Sequence, residues 1–177
     1  MIPSAPEEAR TELINALSTW GWSNYFPPDW DTANLPIGVQ ITTEFPSDQL
    51  QNIERTANGM LTKPVISVID LPLRESPGRR ALGNVIGPGA TTGTLRYGQK
   101  LQIPFQVDCW ADLQTGGGDQ AQRIGGGVID CLFVNRNALS AYRRLEVSGG
   151  RLTFVDAASL WRLTCTVTGL AVQSYDQ

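Results

Sequence analysis

The sequence contains no histidine, which removes the commonest general base and the commonest zinc ligand. It has no G-x-S-x-G, no Walker A lysine motif and no Cys-x-x-Cys, so the residue patterns of nucleophile-elbow hydrolases, P-loop nucleotide binders and dithiol redox proteins are missing. Its cysteines are few and odd in number: Cys109, Cys131 and Cys165 lie inside predicted regular elements and match no metal spacing. They read as buried free thiols of a reducing compartment. No apolar run approaches the roughly 18 residues of a membrane span. The opening Met-Ile-Pro-Ser-Ala-Pro-Glu-Glu lacks the basic and apolar parts of a signal peptide. There is no internal repeat and no heptad run.

What is present suits one globular domain. The 177 residues are 41% hydrophobic and 18% charged, enough apolar material for a substantial core, and residues 1–177 read as one domain. The net charge of -3 is unevenly placed. Residues 1–60 carry eight acids and two bases, residues 61–100 two acids and six bases, and residues 101–177 seven acids and six bases. An acidic front and a basic middle suit charge-matched contact between copies or with a partner, and equally a solvated surface.

The stretch from Gln99 to Phe133 organises the rest. Ile103, Phe105, Val107 and Cys109 alternate with Gln102, Gln106, Asp108 and Trp110, the period of a half-buried strand. A flexible turn, Thr115 to Asp119, offers Asp119 as a cap. Ala121, Ile124, Val128 and Leu132 then recur at helical spacing, with Ile129 and Phe133 widening the stripe. Three glycines, Gly125 to Gly127, interrupt that helix at about 1 kcal/mol each. Close approach of another backbone, a bend, or a late helix start would each account for them.

Around this pair, Pro6 to Leu17 predicts a helix with Ala9, Leu13, Ala16 and Leu17 inward. Trp20 to Trp30 holds three of the five tryptophans with Tyr25 and Phe26. It is either a docking patch, with Trp22, Tyr25 and Trp30 as contacts, or a loop closing the core. Leu35 to Phe45 predicts a strand and Ser47 to Ala57 a short helix. Pro64 to Leu71 reads as a strand covered on both sides. Leu73 to Lys100 is rich in glycine and proline, and its charges are mostly basic: Arg74, Arg79, Arg80, Arg96 and Lys100. It predicts a projecting hairpin or a loop that orders on a partner, with Thr94 to Tyr97 as its returning strand. Leu145 to Val155 predicts a hairpin turning at Gly149-Gly150. Trp161 to Val172 predicts the last strand, with Ser174 to Gln177 as a frayed tail. The fold class is α+β: a mixed or antiparallel sheet packed against helices, with a long projecting basic arm over residues 73–100.

Candidate chemistry is thin. Gly116 to Gly118 before a helix suggests a strand-to-helix link more than a phosphate cradle. Asp108, Asp112 and Asp119 could bind Mg²⁺ or act as acid and base, but Asp108 is expected on the outward strand face, Asp112 in a turn and Asp119 at a cap. No catalytic, metal or cofactor site is assigned.

The run Gln106-Val-Asp-Cys-Trp-Ala-Asp112, then Ala121 and Ile124 opening a helix, then a hairpin and a last strand, resembles the tail terminator (tail completion) proteins of long-tailed bacteriophages. Element order agrees over residues 35–172, and the residue match lies near 103–133. The aromatic amino-terminal segment and the glycine run depart from that pattern. The resemblance implies a non-enzymatic virion protein with no cofactor. Its copies would form a homo-oligomeric ring, hexameric in that family, that caps the tail tube protein and joins it to the head connector or stopper protein. DNA would pass through without specific binding, and no membrane would be involved. It would be assembled in the host cytoplasm and reside in the virion neck. Arg74, Arg79, Arg80, Arg96, Lys100, Trp22, Tyr25 and Trp30 are the expected contacts with partners or neighbouring subunits. Another neck protein, a head-completion or stopper protein, fits the same features, as does more remotely a small enzyme built on Asp108 and Asp112.

Overall fold

Strand β5 (Leu95–Ala111) runs for 17 residues through the middle of the sheet. Its alternation has the expected consequence: Ile103, Phe105, Val107 and Cys109 are all buried on one face. A computed structural model describes residues 5–30, 36–43, 53–72, 74–75, 84–88, 95–142 and 144–176. Within them β5 pairs antiparallel with β2 (Val65–Asp70) on one side and with β7 (Leu160–Asp176) on the other. The main path of the sheet is β1-β2-β5-β7-β6, with β1 at Gln40–Thr42 and β6 at Arg144–Val155. Among the described residues only β1 and β2 run parallel. The short strands β3 (Arg74–Glu75) and β4 (Asn84–Pro88) also pair with β5. The architecture is therefore α+β, as the periodicities predict.

Several local expectations give way. The strand expected from Leu35 to Phe45 is formed only at Gln40–Thr42 among the described residues. Residues 53–57 are not helical; a bridge joins Arg55 to Leu61 instead, and residues 47–52 lie outside the described residues. Gly149-Gly150 is not a hairpin turn. β6 continues straight through it with a shift of register between Ser148 and Gly150, and Gly149 has φ +36°. An extra residue in a left-handed conformation makes a bulge, which bends a strand without reversing it. The reversal comes at Asp156–Ala158, a 3-10 turn closed by Ser159. Nor does the chain fray at Ser174, because β7 pairs with β5 as far as Arg96↔Asp176.

Two helices cover one face of the sheet. α1 (Ala5–Ser18) buries Ala9, Leu13 and Leu17, one per turn, and Arg10 reaches Asp70 at the end of β2 with a 2.7 Å contact. α2 (Gly117–Asn135) buries Ala121, Ile124, Val128, Cys131 and Leu132. The helix starts with Gly116 and Gly117 at positive φ, so Asp119 lies in the first turn and does not cap it. α2 is continuous through its glycines, which excludes a late start. A Cβ on Gly125 would stand 2.0 Å from Leu163 Cδ2, and one on Gly127 would stand 2.7 Å from the Trp22 ring. Close approach is the reason for both, although side chains and not a backbone approach them. Gly126 faces open space.

The opposite face carries a second, smaller core. Ile53 and Leu61 from the connection before β2 pack on Val65, Trp110 and Leu160. Burial of Val65, Ile66, Ser67 and Val68 in succession follows, since both faces of β2 are covered. Asp112 ties this layer to the β5–α2 corner. Its carboxylate accepts from the Leu61 N–H at 2.7 Å, the Thr115 N–H at 2.8 Å and the Thr115 hydroxyl at 2.9 Å.

Candidate functional site

The aromatic segment is built into the main core. Trp22 begins a 3-10 turn, Trp22–Tyr25, and is only 6% exposed. Its indole N–H donates to the Leu17 carbonyl at the end of α1, 3.0 Å away. Tyr25 is half-buried; its hydroxyl donates to Asp130 on α2 at 2.9 Å, and its carbonyl accepts from Gln120 at 3.2 Å. Burial and the Asp130 carboxylate both push the Tyr25 phenol up from its ordinary pKa. Trp30, also half-buried, meets Phe26 edge-on at 4.9 Å. These rings close the core beside α2, and Trp22 has no surface left for another protein. Only Tyr25 and Trp30 keep outer edges.

The basic segment is more closely joined to the sheet than a free loop would be. Arg74 lies in β3, and Arg96 and Lys100 lie in the first half of β5, paired with the end of β7. The returning strand expected at Thr94 to Tyr97 forms over Leu95 to Tyr97, which pair antiparallel with β4 as the start of β5; Thr94 lies outside the described residues. Arg79 and Arg80 lie outside the described residues.

No group of three or more potential metal ligands occurs among the described residues. Asp112 is fully engaged in the corner. Asp119 is exposed on α2. Asp108 departs from expectation: it is completely buried on the face also occupied by Ser67 and Trp110, and one oxygen accepts from Gln106 at 2.8 Å. Trp110, on the same face, packs with Ile53 and Leu61, so this side of β5 is not a wet one. The three thiols are free and buried. Burial pushes all of them up, Cys131 to about 11, so they are poor nucleophiles at neutral pH.

The surface shows one feature that sequence reasoning missed. Ile129 and Phe133 were expected to widen the buried stripe of α2. They are 45% and 65% exposed, and Val134 is 65% exposed. Beside them is a groove of about 240 Å³ between α2 and β6, lined by Ile129, Leu132, Phe133, Arg136, Leu145 and Val147. The signal was present: the buried positions 121, 124, 128 and 132 already complete one helix face, so 129 and 133 fall on its flank. Leu113, in the turn before α2, is 83% exposed. A second, more polar groove on the opposite sheet face is lined by Arg151, Thr153, Arg162 and Thr164 beside the β6 bulge. Among the described residues no helix is long and apolar enough to cross a membrane.

No protein-family model and no curated protein matches the chain. Its fold does match a solved structure, the sheath/tube terminator of the PVC extracellular contractile injection system in the extended state, determined by cryo-electron microscopy. The likeness covers 96% of this chain with a TM-score of 0.52 at 14% sequence identity. This chain spans 57% of the length of that protein.

Proposed function

We propose that this protein is a tail terminator, a structural component of a phage-type tail whose copies form a ring on the last layer of the tail tube and stop its growth. The observation that carries the reading is the fold shared with a sheath/tube terminator over nearly the whole chain. The residue pattern around Gln106–Asp112 points independently to the same family.

In this reading six copies surround the channel, the upper surface meets a head connector or stopper, and DNA passes without being gripped. A conduit that must release DNA gains little from strong phosphate contacts, since affinity rises with each cation that binds one. The basic residues of the 73–100 segment would instead meet carboxylates of the tube or of a neighbouring copy, for which the planar guanidinium of arginine is well suited. Bacteriophage tails prepared without this chain should vary in tube length and fail to join heads. A particle map that places one copy away from the neck would overturn the proposal. Placement above the tail, in contact with the head only, would instead favour a stopper.

A further inference from the structure

The second face of the sheet carries a groove of about 500 Å³ on the β6–β7 hairpin, lined by Gly149, Gly150, Arg151, Thr153, Arg162 and Thr164. The β6 bulge builds it. The shift of register after Ser148 sets Arg151 opposite Thr164 and Thr153 opposite Arg162, so all four side chains share this face. Without the shift, the pairing would set Arg151 opposite Leu163, which packs against α2 on the other face. Bulges re-aim side chains in this way.

Two guanidinium groups therefore stand in one groove without a counter-charge. Among the described residues no carboxylate lines it, and neither arginine makes an ion pair. The Arg162 guanidinium lies over the Trp110 ring, 5.4 Å from its centroid. Such stacking fixes the plane of the group and leaves its edges for in-plane hydrogen bonds. Arg162 Nε is buried and has no acceptor. A buried N–H without an acceptor is uncommon in a folded protein, and a bound ion is one explanation for it. Asp108 lies behind the groove, opposite Thr164 on β5. It is completely buried; one oxygen accepts from Gln106 and the other has no partner, so it does not serve Arg162. Two guanidinium charges less this carboxylate leave a surplus of one. A single carboxylate matches that surplus, and its two in-plane oxygens match the edge of an arginine. A phosphate dianion exceeds it. Duplex DNA presents its phosphates in rows, and two arginines form no track along them.

We propose that this groove binds a side-chain carboxylate of an acidic protein segment, held edge-on by Arg162, with Arg151 closing over it and Thr164 donating its hydroxyl. The ligand supplies the acceptor that Arg162 Nε lacks. The inference stands apart from the terminator reading and holds whatever assembly the chain joins.

The isolated full chain tests it, because the readout is a single proton. The buried Arg162 Nε–H should exchange slowly with water and give its own signal in heteronuclear NMR. The probe is the peptide Gly-Glu-Gly, blocked at both ends, with blocked Gly-Gln-Gly as its uncharged counterpart. The glutamate peptide should move the Arg162 Nε–H signal saturably in the millimolar range, and the glutamine peptide should leave it in place. Arg162→Lys keeps the charge but loses the planar edge; followed at the Thr164 amide, it should weaken binding about tenfold. Arg151→Gln, at an exposed position, should weaken it about threefold. An Nε–H signal that the glutamate peptide does not move would overturn the proposal, as would full affinity in either variant. Should Arg162→Lys fail to fold, the exposed Arg151→Gln decides alone. Inorganic phosphate or a short DNA duplex binding more tightly than the glutamate peptide would also overturn it, and would make the groove a phosphate site.

Discussion

Two neighbouring glycines of α2 should respond in opposite directions to the same substitution. A methyl group at Gly126 meets nothing within 4 Å. Gly126→Ala should therefore gain the usual helix preference of alanine, about 0.5–1 kcal/mol, part of it from the narrower unfolded ensemble. At Gly127 the same methyl would lie 2.7 Å from Trp22 Cζ3 and 3.1 Å from Tyr25 Cγ. These rings cannot step aside cheaply. Trp22 is held by its bond to the Leu17 carbonyl and Tyr25 by its bond to Asp130, and the rings pack against each other at 5.9 Å. Overpacking of a core costs about 1–3 kcal/mol, and loss of the strained Trp22 bond would add about 1 kcal/mol. After the alanine gain, Gly127→Ala should be destabilised by about 1–3 kcal/mol. The alanine gain is common to both, so the two variants should differ by about 2–4 kcal/mol, equivalent to roughly 4–16 °C in Tm for a chain of this size. Urea titration followed by tryptophan fluorescence reads both, with the emission of Trp22 reporting the repacked site. Equal stabilisation by the two alanines would refute the packing of the aromatic turn against α2.

Leu132, 1% exposed in the main core, should lose about 2–5 kcal/mol on replacement by alanine, and an unchanged denaturation midpoint would show the strand–helix packing to be misassigned. Asp112→Ala should leave the buried Leu61 N–H without its acceptor, at a cost of about 1–3 kcal/mol, and limited proteolysis should then cut first within residues 53–62. The pKa of the Cys131 thiol rises on folding from its ordinary value near 9.0 to about 11, so its contribution to stability is whole below pH 9 and is lost as pH rises through 11. Stability should fall over that window by up to about 1.4 kcal/mol per pH unit, and Cys131→Ala should make the fall shallower in alkaline denaturation series. Replacing Arg74, Arg79, Arg80 and Arg96 with serine should leave the melting temperature within a few degrees while lowering the yield of completed particles; normal yields would rule out a role in assembly.

The parts of the fold that could be read from sequence were those where one periodicity decides the structure. β5, α2 and β7 each carry a long regular pattern and each forms over the stretch that carries it, although Asp108 and Trp110 are buried on the second face of β5 and Ile129 and Phe133 stay exposed on α2. The misreadings have local causes. Gly149-Gly150 supports a turn and a bulge equally well, and only pairing with β7 on both sides of it decides for the bulge. The cover over Trp110 comes from a connection with no periodicity of its own, in which Ile53 and Leu61 are eight residues apart. Nothing in the alternation of β5 can register such a layer. Trp22 illustrates the limit for interface residues. Composition cannot separate an aromatic that closes a core from one that waits for a partner, because the same apolar ring serves both.

The strand order also constrains how this chain can be made. β7 is last in sequence but lies inside the sheet, between β5 and β6. Until it is in place, β5 exposes a long unpaired edge and β6 has no neighbour among the described strands. Pairing of β5 with β7 must also wait for the whole intervening stretch, α2 included, so the sheet closes late and through distant contacts, a topology associated with slow folding. A chain synthesised from its amino terminus therefore passes through an interval in which half-built sheets can join edge to edge with one another. High expression should favour that error, and slower synthesis at low temperature should relieve it. The same order acts as a quality check, since a product truncated before Leu160 keeps β6 in its sequence but has nothing to hold it to the sheet.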